Sequence, residues 1–279
     1  GVSFPEKLVS IGEFAFSGCK GLKSLVIPDN VKVVGGGAFS ACDSLSDVTL
    51  GNGISTINQG TFASCPGIAS IRIPDSVISI QDHAFWQCFN LTNLNFGTGV
   101  TELGANAFEY SSIAVLALPE SLTNIGWEAF GSCGNLPSVT IPANVRSIDN
   151  FAFGGCYNLQ GIYFRGDAPT VVGAPFSSTS ILYYVPGTQG WSSVFAGRPA
   201  LPIQMQIVTG DSSFGVKTNQ FGFNLTGTYG LPVVVEAATS LQNPVWLPVQ
   251  TNTLADSPIY FTDPNWTNFL SRFYRLKWQ

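Results

Sequence analysis

The six cysteines are the first residues whose spacing could do chemistry. Cys19, Cys42, Cys65 and Cys88 recur every 23 residues, Ser111 takes the next place, and Cys133 and Cys156 resume the series. If these positions stack, neighbouring Cα atoms lie about 4.8 Å apart, within the span of a disulfide. Parallel side chains on one ladder seldom reach the disulfide dihedral, however, so the pattern reads as small buried thiols packing a turn. Zinc requires ligands converging tetrahedrally from several directions, which a single file does not provide, and no metal is expected. His83 is the only histidine, and in the other repeats its place is held by Phe14, Gly37, Gly60, Asn106, Glu128 and Phe151. Such variety reads as a solvent-facing position. With one histidine and no regularly spaced pair of acids, neither an acid–base nor a nucleophilic site assembles. The chain is therefore expected to be non-enzymatic and to take no cofactor. Gly35-Gly36-Gly37 lacks the helix and lysine of a phosphate-binding loop. Asn90, Asn224 and Asn265 open Asn-x-Thr sequons, acceptors only where a secretory pathway glycosylates them.

The element that would position all of these is a repeat. Phe16, Phe39, Phe62, Phe85, Phe108, Phe130, Phe153 and Phe176 fall 23 residues apart, with one step of 22 between Phe108 and Phe130. A period in this range marks a solenoid, in which each unit buries its apolar side only by stacking on its neighbours. Around each Phe the same slots recur. Ile68, Ile71, Ile73 and Val77 of one repeat correspond to Leu22, Leu25, Ile27 and Val31 and to Leu136, Val139, Ile141 and Val145 of others. The L-x-x-L-x-I segment alternates at period two and predicts a short strand with one face inward. Pro28, Pro74, Pro119 and Pro142, or Gly51 and Gly97, then close it. Successive copies must pair in parallel, giving roughly eight coils over on the order of 40 Å, with the Phe rings as a stacked spine. The Val31 to Val34 type pair predicts a second inward-facing segment.

The period decays after Phe164, where Arg165 replaces the closing Pro, Pro175-Phe176 replaces Ala-Phe and Thr179 replaces Cys. Trp191 and Phe195 are large enough to plug the open core, so residues 1–200 read as a solenoid ending in a capping segment. At the other end Val2, Ser3 and Phe4 align with the strand slot, so the chain opens on a strand with no visible cap. Residues 201–279 read differently: short β-branched or aromatic runs at 204–209, 221–226, 233–237, 246–249, 259–261 and 272–276 are separated by Gly, Pro, Asn and Asp. That pattern predicts a small all-β sandwich.

The phrases Ile141-Pro-Ala-Asn-Val-Arg-Ser-Ile148, Asn150-Phe-Ala-Phe-Gly-Gly-Cys156 and Tyr157-Asn-Leu-Gln-Gly-Ile162 resemble the BspA-like, or Treponema-type, leucine-rich repeat over about residues 2–200. Tyr183-Tyr-Val-Pro-Gly-Thr-Gln-Gly-Trp191 and Phe195-Ala-Gly-Arg-Pro199 resemble the closing segment of bacterial members. Residues 221–276 resemble a C-terminal module of secreted proteins from environmental bacteria. The resemblance implies a mainly β leucine-rich repeat solenoid on a secreted or surface-displayed bacterial protein that binds other proteins.

Composition narrows the partners. Charged residues are 10% of the chain against about 25% in an ordinary globular protein, and the net charge is -5. The 12 Lys and Arg are scattered singly, without the basic stripe that nucleic acid requires. No apolar run approaches the roughly 20 residues of a membrane span. The outward strand row, Val26, Thr49, Arg72, Asn95, Ala117, Thr140 and Tyr163, is mixed and mostly small. Trp86, Phe89, Tyr110 and Trp127 instead sit in variable slots of adjacent repeats, where grouped aromatics form an interaction patch or else fill the gap left by the deletion near Ser111. The expected function is protein binding or adhesion at the cell surface. The alternative is a self-assembling filament, built head to tail through the open coil at Val2, Ser3 and Phe4.

Overall fold

A computed structural model describes Val2 and residues 4–278. The chain divides into two compact units, Gly1–Leu201 and Pro202–Gln279. The first is a stack of coils in which two parallel ladders and a turn face repeat, numbered here as coils 1 to 8 after their Phe residues from Phe16 to Phe176.

The main ladder pairs Ser24–Ile27 with Asp47–Leu50, Ser70–Arg72 with Asn93–Asn95, and Ser138–Ile141 with Gly161–Phe164 and Ile181–Tyr184, all in parallel. At the 22-residue step the ladder thins to a single bridge, Ala117 to Thr140, because the shortened coil cannot hold full register. The second ladder carries the inward segment expected from Val31 to Val34. Ser10–Ile11 pairs Val33–Val34, and Thr56–Ile57, Ser79–Ile80, Glu102–Leu103, Asn124–Ile125, Ser147–Ile148 and Thr170–Val171 follow one another in register. In both ladders the alternate residue turns inward, as Leu25, Ile27, Val34, Ile57 and Ile80 do.

Inside, the rings from Phe16 to Phe153 stack nearly parallel at centroid spacings of 5.2 to 5.7 Å. The last step, Phe153 to Phe176, opens to 6.3 Å and 24°. Each buried ring contributes about 1.5–3 kcal/mol over exposure, and each ring pair about 0.5–1.5 kcal/mol more. The spine thus adds ring–ring cohesion to that of the buried Leu, Ile and Val side chains around it. Beyond it Trp191 packs on Phe164 at 4.7 Å and stacks on Tyr184 at 5.0 Å.

Two expectations change. Tyr163, assigned to the outward strand row, is only 4% exposed, since the following coil lays Tyr183 over it at 5.1 Å. Cys19, assigned with the others to the buried series, is exposed, and unlike the later thiols it has no hydrogen bond to a preceding Phe carbonyl among the described residues.

In the second unit Met205–Val208, Gly215–Lys217, Gln220–Gly227 and Ile259–Asp263 form one antiparallel sheet. Pro232–Ala238 forms another between Leu247–Thr253 and Phe273–Trp278. The sheets meet through Phe221, Phe223, Phe261 and Tyr274, which is the expected small β sandwich. The strand Gly215–Lys217 was not anticipated, because Thr218 and Asn219 make its hairpin turn in left-handed conformation within a polar run.

Candidate interaction face

The turn face is built by a backbone device that the repeat imposes on every coil. In coils 1 to 7 the residues two before and two after the spine Phe have positive φ, between 50° and 70°. The first column is Phe14, Gly37, Gly60, His83, Asn106, Glu128 and Phe151; the second is Gly18, Ala41, Ser64, Gln87, Tyr110, Ser132 and Gly155. In coils 1 to 6 the N–H groups of these residues and of the Phe donate to carbonyls of the next coil, as Phe14 does to Gly36, Phe16 to Ala38 and Gly18 to Ser40. The intervening N–H groups close local turns, as Ser17 does on Phe14. The backbone donors are thus satisfied without a regular strand. The variety at the His83 position therefore has a second cause besides exposure. The slot demands a left-handed residue, Asn106 is only 3% exposed there, and neither column contains Val, Ile or Thr, which tolerate positive φ poorly.

The thiols serve this turn. Cys42, Cys65, Cys88, Cys133 and Cys156 each donate from Sγ to the carbonyl of the previous coil's Phe, at 3.1 to 3.5 Å. All six cysteines are free. Ser111 fills the gap in the series with its hydroxyl 3.1 Å from Cys133 Sγ. Burial pushes the Cys42 and Cys65 thiols up and Cys88 to about 12, while Cys156 is raised first by its hydrogen-bonded neighbour Cys133. These four are protonated hydrogen-bond donors, far from the thiolates that nucleophilic or metal chemistry uses, while Cys133 is lowered, first by its hydrogen bond with Cys156. Among the described residues no group of three His, Cys, Asp or Glu side chains gathers as a metal-binding set. No helix among them is long and apolar enough to cross a membrane.

Coils 4 to 6 give the turn face its distinctive surface. Phe89 is 47% exposed, Trp127 42% and Tyr110 41%, and Phe89 meets Tyr110 at 6.3 Å. Trp86 differs from them. It is half-buried, contacts His83 edge-on at 6.0 Å, and donates from Nε1 to Glu109 Oε2 at 2.9 Å. Glu109 is 7% exposed, and it also accepts from Asn106 Nδ2 at 2.7 Å, while the same nitrogen lies 3.1 Å from Glu128 Oε2. Gly131 makes room for this arrangement. A Cβ there would stand 3.1 Å from both Glu109 Cγ and Glu128 Cβ. Glu128 is held above the usual carboxylate range by burial and then by the Glu109 charge, and Tyr110 is raised first by that same charge. The patch is therefore a set of exposed rings around two carboxylates tied to one buried amide. Sequence reasoning found the rings and missed the acids. Glu109 was visible as the only acid in a slot otherwise filled by Ser17, Ser40, Ala63, Trp86, Gly131 and Gly154.

At the other end, Val2 bridges Leu25 in parallel and Phe4 is half-buried edge-on against Phe16 at 5.8 Å. Ser3, the middle residue of that candidate edge, lies outside the described residues. Neither residue offers a ring or charge cluster comparable to the turn face.

Comparison with known proteins agrees with the repeat geometry. A family model described as the BspA type leucine rich repeat region, present in six copies, matches residues 1–114 and 89–186. Among solved structures, a leucine-rich repeat protein from Bacteroides ovatus is 22% identical with a TM-score of 0.50, covering 72% of this chain and 68% of that one, and shares the fold. The T. pallidum leucine rich repeat protein is 25% identical with a TM-score of 0.40, covering 63% and 67%. A leucine rich cell surface protein from Faecalibacterium prausnitzii is 19% identical with a TM-score of 0.40, covering 72% and 67%. No curated protein matches the chain. The period, the parallel ladders and the family match together place the chain in the BspA-type leucine-rich repeat family.

Proposed function

We propose that the solenoid is the presenting surface of a non-catalytic, extracellular or cell-surface binding and adhesion protein, and that its turn face docks a protein partner through Trp127, Tyr110 and Phe89, with Trp86 beneath them. The observation that supports this reading is the exposure of three large rings in consecutive coils, at 41% to 47%, where the spine and ladders do not need them. Exposed aromatics grouped in this way concentrate binding energy in protein interfaces. Head-to-tail assembly through Val2, Ser3 and Phe4 is the alternative, and it has no comparable feature in its favour. Binding of the labelled protein to intact bacterial and epithelial cells, before and after protease shaving of the cells, tests the main reading. Trp127→Ala and Phe89→Ala are expected to weaken protease-sensitive binding about tenfold each, with unchanged circular dichroism. Binding that survives both substitutions refutes the turn face as the docking surface, and a fibre that resists dilution on sizing would favour the alternative.

A further inference from the structure

The carboxylates under the aromatic patch are not accounted for by the fold. Asp43, Glu120, Glu236 and Asp263 each hold a Lys or Arg of this chain; Glu109 and Glu128, like the other acids among the described residues, have no such partner, but unlike most of them Glu109 is buried. They are nevertheless drawn together, with one Asn106 nitrogen 2.7 Å from Glu109 Oε2 and 3.1 Å from Glu128 Oε2. Two like charges at this separation, one of them 7% exposed, are unfavourable unless something neutralises them. Asn106 adds an independent sign. It is 3% exposed and aims its amide at the same two acids, yet its Oδ1 is buried without a donor. A buried acceptor left in this way is open to a further donor. Tyr110 and Trp127 are the immediate chain neighbours of Glu109 and Glu128, and the Trp86 indole already hydrogen-bonds Glu109.

Acids with an unfilled acceptor, next to exposed electron-rich rings, favour one kind of group. A cation gains from both carboxylates and from neighbouring aromatic rings, and its N–H groups offer donors. An anion is repelled, and a neutral apolar group would leave the acids uncompensated. Glu128 is less buried than Glu109, so entry is from its side. We propose that the shelf formed by Glu109, Glu128 and Asn106, bordered in the chain by Tyr110 and Trp127 and hydrogen-bonded by Trp86, receives a lysine or arginine side chain of the bound protein. This rests on the turn face being the docking surface and names the chemistry of the partner.

The test follows the Trp86 indole N–H in heteronuclear NMR spectra of the full chain, assigned with Trp86→Phe. The probes are N-acetyl-lysine methylamide, N-acetyl-arginine methylamide and the neutral N-acetyl-norleucine methylamide, each titrated to about 20 mM, in the range of a single-side-chain affinity. Calcium chloride is a separate arm. The expected result is a saturable shift with one or both cations, weakened by salt, about tenfold weaker in Glu128→Gln, and absent with norleucine. No saturable shift with either cation, an equal shift with norleucine, a shift unchanged in Glu128→Gln, or saturation by calcium alone overturns the proposal. The outcome separates from that of the cell-binding test. Lost cell binding in Trp127→Ala and Phe89→Ala without a cation response removes the shelf and leaves the docking face. A cation response with unchanged cell binding does the opposite.

Discussion

Trp86→Phe removes one hydrogen-bond donor from the turn face while keeping an aromatic ring, and it separates the structural role of this residue from the exposure of its neighbours. The indole N–H donates to Glu109 Oε2 at 2.9 Å, and the acid, 7% exposed, keeps Asn106 and the Tyr110 hydroxyl as side-chain donors once that bond is gone. A hydrogen bond to a charged group contributes about 1.5–3 kcal/mol when its partner is buried. Trp86 is only half-buried, so water replaces part of the loss and about 1–2 kcal/mol is expected. With a urea slope of about 2–3 kcal/mol/M for a unit of this size, the midpoint falls by about 0.5 M. Trp127→Ala removes a ring that is 42% exposed and should stay within about 0.5 kcal/mol of the parent. Urea unfolding followed by circular dichroism measures both. The decisive control is the cycle with Glu109→Gln. If the loss is the charged bond, Trp86→Phe costs at least about 1 kcal/mol less in that background. An equal cost in both backgrounds, or a Trp86→Phe loss no larger than that of Trp127→Ala, refutes the reasoning. For binding experiments the consequence is practical: Trp127 and Phe89 report on the surface, while Trp86 also reports on stability.

The remaining predictions concern the thiols and the acids. A maleimide added to the native protein should label Cys19 alone, because it is the one exposed cysteine, and peptide mass spectrometry after denaturation should find the other five as free thiols. Labelling of a second site under native conditions, or a recovered disulfide, contradicts the hydrogen-bonded ladder. Glu128→Gln should raise the urea midpoint at pH 7. The folded pKa of Glu128 lies above its ordinary value, chiefly through burial and then through Glu109. The folded state therefore binds the proton more tightly than the unfolded one, and stability falls as pH rises from the ordinary carboxylate range through the folded pKa. The gain from Glu128→Gln should accordingly disappear below about pH 4, and a gain that persists there excludes ionisation as its cause.

How much of this was legible in the sequence depended on whether a feature repeats. The spine is legible because Phe16 through Phe176 hold one chemical role at one spacing, and burial of a ring tolerates little substitution. The strand segments are legible for the same reason, through Leu25, Ile27 and their equivalents. Tyr163 misled because its slot faces outward only while the next coil stays small, and Tyr183 in that coil is not. At the His83 slot variety was read as exposure alone, while the slot also selects for backbone conformation. Asn106 and Glu128 fit it equally, one buried and one half-buried. The missing β-branched residues in both left-handed columns were the available signal.

The sequence by itself determined the solenoid, its pitch, its coil count and the β character of the second unit, since each follows from a period or an alternation that local chemistry enforces. Only the tertiary structure decided what coils 4 to 6 present. Glu109 and Glu128 are 19 residues apart in the chain, and nothing in either position announces the other. They meet because stacking sets Asn106 between them and Gly131 leaves the space, so the shelf exists only once three coils lie on one another.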